Sequence, residues 1–195
     1  MPLEELLRIG TTRPIVRWGD PVLHTPARPV TDFDDELQHL IADMFATNTA
    51  APGAGLAAAQ ISVDLAVFVY DCGDETGRRR TGVICNPELE LPEGRDRELA
   101  TLGEGCLSLP GAHEDLARPK VATCRGVDQF GQPVTVTAGG ILGRCLQHET
   151  DHTRGMVFGD RLTAKARKRL FRDAGEVTDR YPDDWPVSPM VSGSR

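Results

Sequence analysis

The chain has 195 residues, of which 39% are hydrophobic and 26% charged, and it carries a formal net charge of −7. That length argues for one globular domain, two at most, and the composition excludes wholesale disorder. No apolar run approaches the ~18–20 residues of a membrane span, and the acidic balance argues against a sequence-specific nucleic-acid binder.

The first ten residues mix Glu4, Glu5 and Arg8 with leucines and lack the apolar core of a signal peptide, so a cytoplasmic protein is expected. Five cysteines, an odd number with no CxxC pair, argue against a disulfide framework. Residues 34–46 read as an amphipathic helix, because Leu37, Leu40, Ile41, Met44 and Phe45 recur at steps of three and four. Thr31 and Asp32 are suited to cap it, and it should end by residues 48–52. A Gly/Ala-rich stretch follows at 53–60.

Residues 65–70 read as a buried strand and 82–85 as another, ended by Asn86-Pro87, with a polar turn between them. The segments 121–124 and 134–136 alternate apolar and polar residues around 128–132, which predicts a hairpin. After Gly139-Gly140 the pattern turns helical to about Arg154, and a basic helix is expected over roughly 163–175. Pro182, Pro186 and Pro189 mark a tail without fixed structure. Residues 1–175 are then expected to form a single domain and 176–195 a flexible tail. Strands precede helices without regular βα alternation, which favours an α+β fold over a doubly wound sheet.

The chemistry concentrates in Gln147-His148-Glu149-Thr150-Asp151-His152. On a helix, His148 and His152 project only about 40° apart, one turn from each other, and can ligate one divalent ion. Glu149 projects about 100° from His148 and can serve as general base toward a water on that ion. Two histidines at this spacing on a surface helix would be the bland alternative. A catalytic metal wants three protein ligands and one open position. No histidine follows His152, so the third ligand should come from upstream, among Cys72, Cys85, Cys106, Cys124, His24, His39 and His113. Cys106 is favoured, since Gly103 and Gly105 let the backbone approach closely. Cys72, Cys85 and Cys124, on or beside strands, read as small buried hydrophobes. Gly53-x-Gly55-x-x-Ala58 also fits a loose dinucleotide fingerprint, but no strand precedes it, so that reading is set aside.

Glu104-Gly105-Cys106-Leu107-Ser108, the 147–152 motif and Gly53-Ala-Gly55-Leu-Ala-Ala-Ala-Gln60 together resemble the three signature motifs of the peptide deformylases, in the family's order; Arg118 also matches an arginine of that family. The resemblance spans about residues 14–162. It implies mostly antiparallel strands packed around a central metal-binding helix, with a C-terminal helix. It implies Cys106, His148 and His152 as metal ligands, with Fe2+ as the physiological ion and Zn2+, Ni2+ or Co2+ as possible ones. Glu149 would be the acid/base, and the Gln60 side chain and Leu107 backbone N–H the oxyanion donors. A buried Gln60 is not required by the sequence itself, since a solvated helix residue would read the same. The implied substrate is an N-formyl-methionyl peptide, cleaved to release formate.

The resemblance also places Ala54, Gly55, Glu104 and Gly105 in the substrate-binding group, with Gly55 and Gly105 pairing strand-to-strand with the peptide. Ile141 and Cys145 share the His148 helix face and could line a methionine-sized pocket, whereas Arg144 should keep its head in water. Three residues depart from the family pattern. Ala54 stands where Val or Ile is usual, Gly143 where Ala is usual at about 1 kcal/mol of helix propensity, and His113 where Arg or an aromatic is common. His113 is expected on an exposed loop. The six cations and no anion of residues 161–172 could be a solvated helix face or a ribosome contact. A metallopeptidase and a catalytically inactive metal-binding relative are the rival readings, but the intact Glu149 and Gln60 speak against the inactive one.

Overall fold

The computed structural model describes residues 1–191. Its helices are α1 (Leu3–Ile9), α2 (Asp35–Ala50), α3 (Gly140–Thr153) and α4 (Ala164–Val177). Its strands are β1 (Gly55–Ala57), β2 (Val67–Gly73), β3 (Arg79–Glu90), β4 (Leu99–Cys106), β5 (Leu109–Pro119), β6 (Ala122–Val127) and β7 (Pro133–Ala138). The strands form a five-stranded sheet in the order β1-β2-β3-β6-β7 and a separate β4-β5 pair, and every pairing is antiparallel. The expected α+β architecture is what the chain adopts.

β2 explains how the layers assemble. Its residues alternate between two faces, and both faces are covered. Val67 and Val69 pack with Leu37, Ile41, Met44 and Phe45 of α2. Phe68 and Tyr70 pack with Leu142, Cys145 and Leu146 of α3 on the other side. That two-sided burial is why the strand reads as an unbroken apolar run. A third core joins Cys106, Ala112 and Leu116 of the β4-β5 pair to Leu170 and Ala174 of α4.

α3 is therefore central, and every residue from 145 to 153 is buried, including Glu149, Asp151 and both histidines. Buried charged groups are costly unless paired or bound to a metal. On this helix Asp151 and His148 have hydrogen-bond partners, whereas Glu149 Oε2 and His152 Nδ1 have none among the described residues.

Several expectations need correction. The cap of α2 is Asp34, whose Oδ1 accepts from the Leu37 N–H at 3.0 Å. Asp32 instead accepts from the Thr31 hydroxyl at 2.8 Å, outside the helix. β3 does not end at Asn86-Pro87; it continues to Glu90 through a bulge between Cys85 and Glu88. There Asn86 takes a positive φ of 52° and its amide bridges to Val30, Oδ1 accepting from its N–H at 2.8 Å and Nδ2 donating to its carbonyl at 2.9 Å. The bulge thus holds Asn86-Pro87 inside the sheet instead of ending it. α1 and the whole β4-β5 pair were not expected.

The tail is also not structureless. Residues 176–191 continue from α4 into a short turn of helix (Thr178–Arg180), and Trp185, only 6% exposed, sits in the main core beside Leu6 and Ile15. Residues 192–195 lie outside the described residues.

Candidate active site

Three elements meet at the site. The end of β4 delivers Cys106, the last turns of α3 deliver His148, Glu149 and His152, and the short helical turn after β1 delivers Gln60. Donor atoms of Cys106, His148 and His152 all lie within 4.8 Å of one another. The Cys106 Sγ is 3.3 Å from His152 Nε2. Bonds of about 2.3 Å to sulfur and about 2.0 Å to nitrogen at tetrahedral angles would place the two atoms about 3.5 Å apart. The donor set therefore fits one divalent cation. Of the seven upstream candidates for the third ligand, Cys106 is the one brought to the histidine pair.

His148 is fixed from behind, whereas His152 Nδ1 has no hydrogen-bond partner among the described residues. His148 Nδ1 faces Glu104 Oε1 at 2.7 Å, which leaves Nε2 for the ion. Glu104, expected among the substrate-binding residues, lines the cleft and also holds this histidine. Both of its oxygens are occupied: Arg118 donates to Oε1 at 2.7 Å and to Oε2 at 2.8 Å, and Arg144 donates to Oε2 at 2.8 Å. Burial by itself would raise the Glu104 carboxyl, but the Arg118 and His148 contacts outweigh it and hold the group well below the usual carboxylate range. Glu104 is an anchor for His148.

Arg118 then reaches α3 directly, donating to Asp151 Oδ2 at 3.0 Å, and Arg161 adds two further bonds to Asp151. Asp151 neighbours His152 in the chain. The Glu104–Arg118–Asp151 chain thus ties β4, β5 and the metal helix into one buried unit. Arg118, Glu104 and Asp151 all stand in or beside the motifs read from the sequence, but their pairing with one another is not legible there. Arg144 also departs from expectation. Its head is turned inward, and besides Glu104 it donates to the carbonyls of Leu116 at 3.0 Å and Ala100 at 2.9 Å.

Glu149, Gln60 and Leu107 line the cleft beside the cysteine and the histidines. Glu149 is buried, and its Oε2 has no hydrogen-bond partner among the described residues. Burial, only partly countered by the charge of His148, pushes its carboxyl up to about 7, the range in which a group both takes and gives a proton near neutral pH. Gln60 is 1% exposed, not a solvated helix residue. Its Oε1 accepts from the Ala57 N–H at 2.9 Å, which turns Nε2 toward Ser108 Oγ at 3.4 Å and Cys106 Sγ at 3.6 Å. Leu107 occupies the turn between β4 and β5, outside the strand ladder.

In front of these groups lies a cleft of about 630 Å³. Ala54 and Gly55, Gly105 and Leu107, and Ile141 and Cys145 of α3 are among the residues that line it. Gly55 lies on β1, an edge strand of the large sheet, and Gly105 on β4, which has β5 as its single neighbour, so a free strand edge flanks each side. Ile141 is largely exposed at the rim, and Cys145 is buried with its thiol toward the Ala54 carbonyl at 3.5 Å. His113 is exposed as expected, but it stands on β5 opposite Gly105 and lines the cleft, not a loop. Cys72, Cys85 and Cys124 are buried free thiols among apolar neighbours.

A cysteine and two histidines around one cation position, with an unpartnered carboxylate and an open cleft beside them, define a hydrolase built on a single divalent metal. Comparison with known proteins narrows that class. The polypeptide deformylase family profile matches residues 12–168. Peptide deformylase 1 of Streptomyces avermitilis is 52% identical over 174 residues, covering 89% of this chain and 80% of the relative. The peptide deformylase of Acidothermus cellulolyticus is 50% identical over 165 residues, covering 85% and 87%. Among solved structures, a peptide deformylase from Legionella pneumophila superposes with a TM-score of 0.76 at 38% identity, covering 88% of this chain and 100% of that one. One from Synechococcus elongatus, in complex with actinonin, gives 0.75 at 36%, covering 84% and 88%. The chain belongs to the peptide deformylase family.

Proposed function

We infer that the protein removes the formyl group from the N-terminal formyl-methionine of newly synthesised polypeptides, releasing formate. The observation that carries this reading is the buried, unpartnered Glu149 carboxylate beside the Cys106/His148/His152 cluster, in a chain of this family. Cys106, His148 and His152 would hold the cation, which when bound would supply Lewis acidity toward a water and the formyl carbonyl. Glu149 takes the proton of the attacking water and later passes it to the departing amine. The Gln60 Nε2 and the Leu107 N–H donate to the oxygen on which negative charge develops. Amide and water are thereby converted to formate and a free amino terminus.

The remaining site residues hold the substrate. The free edges at Gly55 and Gly105 support pairing with an extended peptide between them. The methionine side chain sits against Ala54, Cys145 and Ile141. Glu104 acts through His148, by fixing its ring.

We take the resident ion to be Fe2+. A Cys/His2 donor set does not by itself exclude Zn2+, Ni2+ or Co2+, so anaerobic purification with elemental analysis decides it. The cytoplasm, where nascent formylated chains occur, is the proposed location; among the described residues no helix is long and apolar enough to cross a membrane.

A ribosome contact through 161–172 rests on fewer charges than the sequence suggests. Arg161, Arg167, Arg169 and Arg172 pair with Asp151, Asp160, Glu114 and Asp173. Lys165 and Lys168 carry the proposal, having no ion pair among the described residues.

The direct test of function is formate release by the metal-loaded protein. Formyl-Met peptides should be deformylated, and unformylated peptides should stay uncleaved. Cleavage of internal peptide bonds, or no turnover of the formylated substrate, would overturn the reading.

A further inference from the structure

The cleft has one wall that the chemistry above does not use. Tyr181, Trp185, Pro186, Pro189 and Met190, all from the segment after α4, line the same cleft as Cys106 and His148. That segment is held in place from several sides. The Ile15 N–H donates to the Trp185 carbonyl at 2.9 Å, and Arg17 donates to the carbonyls of Pro182 at 2.9 Å and Tyr181 at 3.2 Å. The rings of Tyr181 and Trp185 meet edge to face at 5.2 Å, with the Arg17 guanidinium within 6 Å of both. Ser188 donates to Asp184 at 2.8 Å, and the Val191 N–H returns to the Arg180 carbonyl at 3.0 Å.

The segment so anchored forms part of the cleft lining. None of its five lining side chains is acidic or basic; of the acidic and basic groups lining the cleft, Glu104, Arg144, His148 and Glu149 gather about the cation position and His113 stands on β5 opposite Gly105. Met190 is 47% exposed at the rim, an apolar side chain open to solvent beside a cleft. The cleft of about 630 Å³ is several times the volume of a methionine residue, so it has room for more of the chain than the formyl-methionine alone.

We propose that residues 181–190 form a specificity wall that contacts the peptide downstream of the formyl-methionine and favours apolar over acidic residues there. The proposal rests on the deformylase reading. Apolar residues gain by covering Met190 and its neighbours, and a carboxylate placed there loses hydration with no cation among the wall residues to replace it.

The test uses the full-length, metal-loaded enzyme with formyl-Met-amide, formyl-Met-Ala-Leu-Leu and formyl-Met-Ala-Asp-Asp. The wild type should show a kcat/KM about tenfold higher for the apolar than for the acidic tetrapeptide, expressed in KM rather than kcat. Met190→Leu should keep that ratio, Met190→Glu should widen it, and Met190→Lys should bring it toward one or invert it. Thermal melting should show each variant folded, since Met190 is half in solvent. Equal kcat/KM for the two tetrapeptides, or a ratio unmoved by the Glu and Lys variants, would overturn the wall. No turnover of formyl-Met-amide by the wild type would instead overturn the deformylase reading itself.

Discussion

At the scale of single residues, the site separates groups that touch the reaction from groups that hold them. Gln60 is aimed by one hydrogen bond, from the Ala57 N–H to its Oε1. Gln60→Ala should lower kcat by about 10²–10³ with the metal retained, as loss of an oxyanion donor does; steady-state kinetics would check it. Glu104 acts at one remove, through His148 Nδ1. Glu104→Ala should weaken metal affinity by about 10–100-fold, readable by competition with a chelator, and added metal should restore part of the turnover. The two thiols deepest in the sheet should be inert. Burial pushes Cys85 up to about 12 and Cys124 up to about 11, so both stay protonated, non-nucleophilic thiols at about pH 8. Rapid alkylation of either in the native protein, seen by peptide mass mapping, would contradict this burial.

At the scale of elements, α3 shows how packing overrides propensity. Gly143 reads in the sequence as a helix weakened relative to the family's Ala. In the fold, a Cβ at that position would lie 2.4 Å from the Ala138 carbonyl oxygen and 3.0 Å from its carbon. The glycine lets the metal helix pass close to the end of β7. Gly143→Ala should therefore destabilise the protein by about 1–3 kcal/mol despite a gain of about 1 kcal/mol in helix propensity; denaturant unfolding would check the sign. The elements with strong periodicity were readable: α2, α3 and the β6-β7 hairpin all fall where their patterns put them. The β4-β5 pair was not, because Gly103 and Gly105 break the apolar alternation and Pro110, Gly111 and Pro119 interrupt its partner. Its strands are specified by cross-strand pairing and by α4 behind them, which no local window contains.

At the scale of the whole molecule, the reacting groups were legible because their chemistry demands fixed spacing, while the framework around them was not. His148, Glu149 and His152 announce a helix-borne metal pair. Glu104, Arg118 and Asp151 form their buried unit only after β4, β5 and α3 are brought together. The tail misled for a related reason: three prolines suggested an unfolded end, and the signal to the contrary was Trp185, an aromatic with a place in the core. Electrostatics follow the same rule, since four of the six cations at 161–172 find acids in the folded chain. Exchanging Lys165 and Lys168 for Glu should reduce ribosome co-sedimentation in a salt-dependent way while leaving deformylation intact; unchanged co-sedimentation would dismiss that contact. The central claim is that Cys106, His148 and His152 hold one catalytic cation while Glu149 moves the proton. Metal content and formate release measured together on wild type, Glu149→Ala and Cys106→Ala test it most directly. The wild type and Glu149→Ala should each hold one ion per chain, with turnover in the wild type and a loss of about 10²–10⁴ in Glu149→Ala, and Cys106→Ala should show neither ion nor turnover. Full turnover in Glu149→Ala, or a fully loaded and active Cys106→Ala, would contradict it.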